Sequence, residues 1–406
     1  VTDGDAAVIG RAVRLAEERR PELDPELFDF LGRILRLEVP GRLAAELATR
    51  FQQLTPAAMA KGVEDTAFYR HNRLVALNEV GGDPGRFGVA VDDFHAEMSA
   101  ASAGWPSAML ALSTHDTKRS ADLRARLAVL SQCPGEWGGL VEQLLDASAP
   151  HRASGERPTT ADAYLFFQVA VGAWPIDADR AAAYMEKASR EAKLRTSWTA
   201  PDAEYDEALD AFVRGTLADP GFVGAVEAFV GRIADLGWRA ALAQQALQLT
   251  APGVPDLYQG TELWDLSLVD PDNRRPVDYG LRRRRLADAC TLSAAEAWQR
   301  RGDGIAKLWL IRRALALRQR RPGPFLQGEY RALAATGSMA GAVVAFARGD
   351  ELVTVVPRLV HEAWDDTSLA LPDGRWRDLD GVDRGGVVLL DELFRDFPVS
   401  ILERIG

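Results

Sequence analysis

The sequence contains few of the residues that build disulfide frameworks or metal centres. Its 406 residues include two cysteines, Cys133 and Cys290, and five histidines scattered between positions 71 and 361. Two distant cysteines cannot form a disulfide framework, and neither residue type has the spacing of metal ligands. We therefore expect neither a disulfide framework nor a zinc site.

Long apolar runs and a surplus of positive charge are also missing. No apolar segment approaches the length that spans a bilayer, and no signal peptide begins the sequence, so we expect a cytoplasmic protein. The net charge of −11 argues against nucleic acid or an anionic membrane as a partner. With 47% hydrophobic and 26% charged residues, the composition is typical of a soluble globular protein.

The most informative stretch lies between positions 108 and 120. A short apolar run at 108–112 is typical of a buried parallel strand, and polar residues that include His115 and Asp116 follow it at once. From Ser120 onward, apolar residues recur at helical spacing. In α/β barrels, the carboxyl end of a strand is where reactive side chains lie. The same pair would also suit a solvated surface loop with a weak ion pair.

The segments around this stretch predict a parallel α/β architecture. A strand-like run at 74–77 is followed by a glycine pair and by a helical pattern at 91–101. The order of strand, turn, helix and strand favours a parallel sheet. Residues 120–250 contain helical stretches and no convincing strand, which indicates a helical insertion, and a short strand is predicted again at 254–258.

The C-terminal part has a different pattern. A helix at 305–318 precedes a Gly-Pro boundary, after which strand-like segments alternate with turns and predict a small antiparallel β domain. The predicted division is a helical segment at 1–54, barrel strands and helices at 55–119, a helical insertion at 120–250, the last barrel strand and a closing helix at 251–322, and a β-rich domain at 323–406.

Several motifs follow one another in a fixed order between positions 59 and 276. They occupy Met59–Arg70, Leu77–Gly82, Ser113–Ser120, Arg190–Trp198, Tyr258–Asp265 and Asp270–Pro276. In this order they resemble the maltooligosyltrehalose synthase family of the α-amylase superfamily. The resemblance implies an α/β fold that consists of the C-terminal part of a (β/α)8 barrel, with a large all-helical insertion and a C-terminal antiparallel β domain.

The resemblance also implies an activity that needs no metal and no other cofactor, and a set of site residues. The family is an isomerase family that converts the reducing-end α-1,4 linkage of a maltooligosaccharide into an α,α-1,1 linkage in trehalose biosynthesis, by a retaining double displacement. By this resemblance, Asp116 is the third carboxylate, which binds sugar hydroxyls and favours the oxocarbenium-like state, and His115 binds the same sugar. The further substrate contacts that it implies are Lys61, Glu64, Asp65, Phe68, Tyr69, Arg70, Lys118, Arg119, Lys193, Trp198, Tyr258, Gln259, Asp270, Arg274 and Arg275.

One departure from the family pattern limits this prediction. In the family, the nucleophile and the general acid lie in an Arg-X-Asp motif and a Glu motif on earlier barrel strands, and no Gly-X-Arg-X-Asp run that precedes a strand-end Glu occurs in the 406 residues. The chain therefore resembles the C-terminal half of such an enzyme, and we expect it to be inactive without an N-terminal half as partner. Three alternatives stay open: another glucan hydrolase or glucosyltransferase of the superfamily, a non-catalytic carbohydrate-binding fragment, and a metal phosphohydrolase that pairs the His-Asp dipeptide with His71 or His95.

Overall fold

A computed structural model describes residues 1–154 and 156–406 as a mixture of helices and β-sheets. The chain divides into two compact units, Val1–Ala67 and Phe68–Gly406. The predicted five-part division is finer than this and stays a prediction. Among the described residues, helices that combine the length and the apolar character needed to cross a membrane are absent.

The first unit is helical. It contains α1 (Asp3–Arg19), α2 (Pro25–Leu35), α3 (Arg42–Met59) and a π-helical segment, Ala60–Ala67. The side chain of Thr2 accepts a hydrogen bond from the Asp5 N–H and the Asp5 carboxylate accepts one in return, which forms a capping box at the start of α1. At the start of α2, the Asp24 carboxylate accepts a hydrogen bond from the Glu26 N–H, and Pro25 lies in the first turn.

Helices are the main secondary structure of the second unit. They are α4 (Phe68–Arg70), α5 (Val91–Gly104), α6 (Ala121–Ala128), α7 (Pro134–Ser148), α8 (Thr160–Ala173), α9 (Ala178–Ala192), α10 (Ala203–Ala218), α11 (Pro220–Thr250), α12 (Tyr279–Ala289), α13 (Ala294–Gln299), α14 (Ile305–Arg320), α15 (Pro322–Leu326) and α16 (Leu390–Leu393). The strand predicted at 74–77 is wrong, because Val75–Leu77 form a 3₁₀ turn. The Val75 N–H donates to the side chain of Gln168 instead of to a strand.

Two short strands, β1 (Met109–Ala111) and β2 (Val254–Asp256), form a parallel pair in which Met109 is opposite Val254. Both predicted strands and their parallel pairing are confirmed, and helices α6 to α11 connect them. Gly253, at φ 136°, lets the strands approach closely, since a Cβ there would lie 2.6 Å from Leu110 Cγ.

The C-terminal strands form two antiparallel sheets. They are β3 (Tyr330–Leu333), β4 (Ala335–Thr336), β5 (Val343–Arg348), β6 (Leu352–Pro357), β7 (Ser368–Ala370), β8 (Trp376–Asp378), β9 (Asp383–Arg384), β10 (Val387–Leu389) and β11 (Ser400–Arg404). The strand order is β3-β5-β6-β11-β8-β9 in the larger sheet and β10-β7-β4 in the smaller one. All these pairs are antiparallel, which confirms the predicted pairing.

The larger sheet is covered on both faces. Phe346 on β5 belongs to the same buried cluster as Leu242 of α11 and Trp309 of α14. Its neighbour Ala345 belongs to a different cluster, which contains Leu369 of the smaller sheet. Because successive side chains of a strand point to opposite faces, the helices cover one face of β5 and the smaller sheet covers the other.

Candidate active site

His115 and Asp116 lie in a turn at the carboxyl end of β1, and both residues are exposed. Thr117 closes the turn, because its hydroxyl donates to the Thr114 carbonyl at 3.0 Å and accepts from the Thr114 N–H at 3.2 Å. The Asp116 N–H in turn donates to the Thr114 hydroxyl at 3.2 Å. The buried threonine therefore holds the backbone while the imidazole and the carboxylate point outward.

A second carboxylate, Glu79, anchors the backbone directly after this turn. It accepts hydrogen bonds from the N–H groups of Lys118 at 2.7 Å and Arg119 at 3.2 Å. The guanidinium of Arg124 lies 3.6 Å from the same carboxylate. Glu79, Lys118 and Arg119 are buried, and the Lys118 amine lies 3.7 Å from the exposed Asp116 carboxylate. Glu79 therefore fixes the segment that presents Asp116.

The loop at 265–275 packs against the same turn. The side-chain amide of Asn273 donates to the carbonyl of His115 at 3.0 Å and contacts the carbonyl of Thr114 at 3.4 Å. Farther along, the Ser120 N–H donates to the Ser267 carbonyl at 2.9 Å. Two segments more than 140 residues apart in sequence thus form one surface at the carboxyl end of β1.

Asp272 organises this second loop. Its carboxylate pairs with the Arg180 guanidinium through two hydrogen bonds, at 2.8 and 2.9 Å, and accepts from the Leu268 N–H at 2.8 Å. Arg275 lies 3.1 Å from the same carboxylate. Burial alone would raise the pKa of Asp272, but these hydrogen bonds outweigh burial and hold the pKa below 3.8. The Asp272 carboxylate is therefore ionised, and its hydrogen bonds hold the 265–275 loop in place.

One face of α9 contacts both loops. This face, which we call the site face of α9, consists of Arg180, Tyr184, Lys187 and Glu191. The Tyr184 hydroxyl accepts a hydrogen bond from the Arg119 guanidinium at 2.6 Å, and burial raises the pKa of Tyr184, so it stays protonated. The Lys187 amine donates to the Asp270 carbonyl at 2.6 Å. A single rigid helix therefore sets the position of one loop relative to the other.

The end of α9 brings two further predicted residues to this side of the unit. Lys193 ends the helix in the left-handed conformation, at φ 55°. Trp198 follows five residues later, and its indole N–H donates to the Glu191 carboxylate at 3.0 Å. Arg70 is also tied to this end of the helix, because its guanidinium donates to the Ala192 carbonyl at 2.6 Å.

Tyr258 and Gln259 follow β2. Because β2 is parallel to β1, they lie at the same end of the sheet as His115. In the neighbouring loop, the Asp270 carboxylate pairs with the Arg274 guanidinium at 2.6 Å. The structure therefore gathers these four residues and the His-Asp turn at one end of the two-stranded sheet.

The remaining predicted residues have other surroundings. The rings of Phe68 and Tyr69 are buried, at 3% and 4% exposure, and Tyr69 belongs to the helical core. Lys61, Glu64 and Asp65 lie in the π-helical segment of the first unit, where Lys61 pairs with Asp65. Their part in a site stays a prediction.

A buried ion pair supports the base of the site. The Lys307 amine lies 2.9 and 3.0 Å from the two oxygens of the Asp122 carboxylate, and both side chains are almost completely buried. Asp122 also accepts a hydrogen bond from the Asp265 N–H at 2.8 Å. Burial raises the pKa of Asp122, and the charge of Lys307 opposes that shift. The pair joins the first turn of α6 to the beginning of the 265–275 loop.

The described residues contain no group of three or more His, Cys, Asp or Glu side chains that is arranged to hold a metal ion. The carboxyl end of the two-stranded sheet instead presents a carboxylate, an imidazole and several side-chain hydrogen-bonding groups on a backbone that hydrogen bonds hold in place. Such groups suit a polyhydroxylated ligand, because each sugar hydroxyl can both donate and accept a hydrogen bond.

Comparison with known proteins finds relatives along almost the whole chain. A Mycobacterium tuberculosis protein that carries the name maltooligosyl trehalose synthase is 41% identical over 421 aligned positions, which cover 99% of this chain and 50% of that protein. The structure of maltooligosyltrehalose synthase from Arthrobacter ramosus superimposes with a TM-score of 0.87 at 36% identity, over 98% of this chain and 51% of that one. The chain is homologous to maltooligosyltrehalose synthases. No family model matches it.

A more distant maltooligosyltrehalose synthase structure shares the same fold. The structure described as a hypothetical maltooligosyl trehalose synthase from Sulfolobus tokodaii matches with a TM-score of 0.72 at 28% identity, over 89% of this chain and 47% of that one. The chain thus spans about half the length of the maltooligosyltrehalose synthases that it matches.

Sequence analysis missed the residues that hold the site together. Glu79, Asn273 and the site face of α9 contact the His-Asp turn or its loop across long sequence separations. The available signals were that Glu79 lies between an apolar run and a glycine pair and that Glu79 and Asn273 each lie inside a motif already noted. For Asp122 and Lys307 the sequence offered no comparable signal, because a buried ion pair is invisible until the helices are packed.

Proposed function

We propose that this chain is the C-terminal half of a maltooligosyltrehalose synthase and that it contributes the third catalytic carboxylate to an intramolecular transglucosylation. The observation that supports this most directly is the exposed His115–Asp116 turn at the carboxyl end of β1, fixed from behind by Glu79 and Asn273. The reaction converts a reducing-end α-1,4 linkage into an α,α-1,1 linkage, so the chain acts in trehalose biosynthesis, in the cytoplasm.

In this proposal, Asp116 and His115 bind the hydroxyls of the sugar whose anomeric carbon reacts. The contacts strengthen as the ring flattens toward the oxocarbenium-like state, which lowers the barrier rather than only the dissociation constant. The anchored backbone matters because groups that are held in position before the reaction need no reorganisation during it. The Lys118 amine lies 3.7 Å from the Asp116 carboxylate and helps to position it.

The nucleophile and the general acid come from a complementary N-terminal half. The two-stranded β1–β2 sheet supports this, because Met109 is 72% exposed on β1 and Val254 is 39% exposed on β2. Two strands with uncovered apolar side chains are marginal as an isolated sheet. We propose that they are neighbouring strands of a (β/α)8 barrel of the α-amylase glycoside hydrolase superfamily, and that α6 to α11 are an insertion between them.

The test mixes the purified chain with a separately prepared N-terminal half of a relative, such as the Mycobacterium tuberculosis protein, and adds a maltooligosaccharide. Loss of reducing ends and release of free glucose are followed together. We expect reducing ends to disappear in the mixture with little free glucose, and neither half alone to be active. Asp116→Asn should slow the loss by roughly a hundredfold or more.

A matched control separates a catalytic carboxylate from an exposed one. Asp93 on α5 is as exposed as Asp116, with side-chain exposures of 60% and 57%. Asp93→Asn should leave the rate of the mixture unchanged. Activity of the chain alone would contradict the divided site, and glucose release equal to bond cleavage would favour a hydrolase of the superfamily instead. Sugar binding without any reaction in the mixture would leave a carbohydrate-binding fragment.

A further inference from the structure

Trp198 differs from the other aromatic residues of the motifs. Its side chain is 52% exposed, whereas Phe68 and Tyr69 are buried. A single exposed aromatic side chain is common on protein surfaces and does not mark a site by itself, so the contacts of the ring decide. The question is whether its ring is mobile or held.

The contacts of the ring show that it is held. The indole N–H donates to the Glu191 carboxylate at 3.0 Å, and the Arg190 guanidinium carbon lies 4.8 Å from the ring centre. Arg190 is itself fixed, since it pairs at 2.8 Å with both Glu186 and Asp206. One face of the indole is thus occupied by a cation that cannot move away, and the exposed area belongs to the rest of the ring.

The loop that carries the tryptophan is also ordered by its own hydrogen bonds. The Ala200 N–H donates to the Ser197 hydroxyl at 3.0 Å, and the Ser197 N–H donates to the Ala200 carbonyl at 3.2 Å. The buried Thr196 accepts from the Asp202 N–H at 3.1 Å. A ligand that stacks on the ring would therefore lose little free energy in ordering it.

The position of the ring relates it to the candidate active site. Glu191, which holds Trp198, lies on the site face of α9, four residues beyond Lys187, which holds the 265–275 loop. Four residues of helix correspond to about 6 Å along the axis. The aromatic ring is therefore on the same side of α9 as the loops of the site, and it lies farther toward the C-terminal end of the helix.

We propose that Trp198 is a stacking platform for one pyranose ring of a bound maltooligosaccharide, away from the linkage that changes. The choice of a glucan as ligand rests on the proposed function, whereas the open, supported aromatic face is a feature of this structure. A pyranose ring presents a flat face of C–H groups, which packs on an indole while its hydroxyls stay in water at the ring edge.

The test measures binding of maltoheptaose to the purified chain by calorimetry. Trp198→Ala should weaken binding roughly tenfold, because the stacked area is lost, and Trp198→Phe should retain most of the affinity. Trp105→Ala is the matched control: Trp105 is 77% exposed but lies at the end of α5, before β1 and so at the opposite end of that strand from His115. It should bind like the unaltered chain.

Two results would overturn the platform: equal affinity of Trp198→Ala and the unaltered chain, or no binding of maltoheptaose by the unaltered chain at millimolar concentrations. A third would assign the ring to a protein contact, namely protection of Trp198 from oxidation by the N-terminal half in the absence of sugar. In the reconstituted mixture, Trp198→Ala should raise KM with kcat retained. Binding that depends on Trp198 in a mixture with no activity would uphold the platform and contradict the proposed function.

Discussion

The two-stranded β1–β2 sheet and the six-stranded C-terminal sheet are stabilised in different ways. All residues of β5 and β6 are buried, because helices cover one face and the smaller sheet covers the other. On β1, by contrast, Met109 and Ala111 are exposed. The C-terminal sheet is held by apolar burial on both faces, whereas the strands that carry the candidate site are open on one side. Under the proposed function, the open side is where the strands of the N-terminal half would pack, and the substrate would lie at the carboxyl end of β1 and β2.

Polar contacts take the place of burial at the open sheet. The side-chain amide of Gln248 donates to the carbonyls of Leu110 on β1 at 2.8 Å and of Asp256 on β2 at 2.7 Å. Arg318 reaches the carbonyl of Gly253 at 3.3 Å. An edge held by specific hydrogen bonds and ion pairs is more sensitive to single substitutions than a two-sided apolar core, which distributes its stabilisation over many contacts.

The largest effect is expected from the buried ion pair beneath the site. Lys307→Met leaves the Asp122 carboxylate buried without its partner and should lower the free energy of unfolding by about 3–5 kcal/mol, measured by urea denaturation. The double variant Asp122→Leu with Lys307→Met should recover part of this loss, since neither charge is then buried. A loss below about 1 kcal/mol in the single variant would show that water reaches the carboxylate.

The close approach of the two strands predicts the next effect. Gly253→Ala places a Cβ 2.6 Å from Leu110 Cγ and puts a non-glycine residue at φ 136°. We expect a loss of about 2–3 kcal/mol in the free energy of unfolding. Gly341→Ala is the control beside the C-terminal sheet, because a Cβ there meets nothing within 4 Å. Equal stabilities of the two variants would mean that β1 and β2 can separate freely.

The anchor of the His-Asp turn predicts a smaller effect on stability and a larger one on function. In Glu79→Gln, an amide group replaces one acceptor oxygen, so one of the N–H groups of Lys118 and Arg119 loses its partner. The cost should be about 1–2 kcal/mol in urea denaturation, together with a lower kcat in the reconstituted mixture. Glu362→Gln, at an exposed position, should change neither. An unchanged kcat in Glu79→Gln would show that Asp116 does not depend on this anchor.

The smallest effect concerns a contact between α5 and the larger C-terminal sheet. His95 Nδ1 lies 2.7 Å from the Tyr330 hydroxyl, and burial lowers the pKa of His95 below 6.5, although Asp92 opposes the shift. Because the folded state then disfavours the protonated form, this contribution to stability is complete above the unfolded pKa and declines as the pH falls through it. In urea denaturation between about pH 8 and about pH 5, His95→Gln should show a shallower decline; parallel curves would contradict this.

The sequence predicted the elements whose patterns are local. The runs at 108–112 and 254–258 became β1 and β2, and the alternating C-terminal segments became antiparallel strands. The strand predicted at 74–77 is wrong because a short apolar pattern does not show which acceptors its N–H groups will bind. Here the partner of Val75 is Gln168, 93 positions away.

The same distinction applies to the candidate site. The location of His115 and Asp116 at a strand end followed from the change between an apolar run and a polar loop. The contacts that fix them did not, since Glu79 is 39 positions from Lys118 and Asn273 is 158 positions from His115. The sequence did not predict side-chain exposure either. Tyr69 and Trp198 are both aromatic residues in motifs, yet Tyr69 is buried and Trp198 is exposed.

The spacing along α9 restricts how this region can change in length. Arg180, Tyr184, Lys187 and Glu191 share one face only because they are separated by four, three and four residues. Inserting or deleting one residue between Tyr184 and Lys187 would rotate everything beyond it by about 100°. Lys187 and Glu191 would then turn away from the Asp270 carbonyl and the Trp198 indole together. The segment from position 180 to position 191 therefore has to keep its length if Lys187 and Glu191 are to hold their partners.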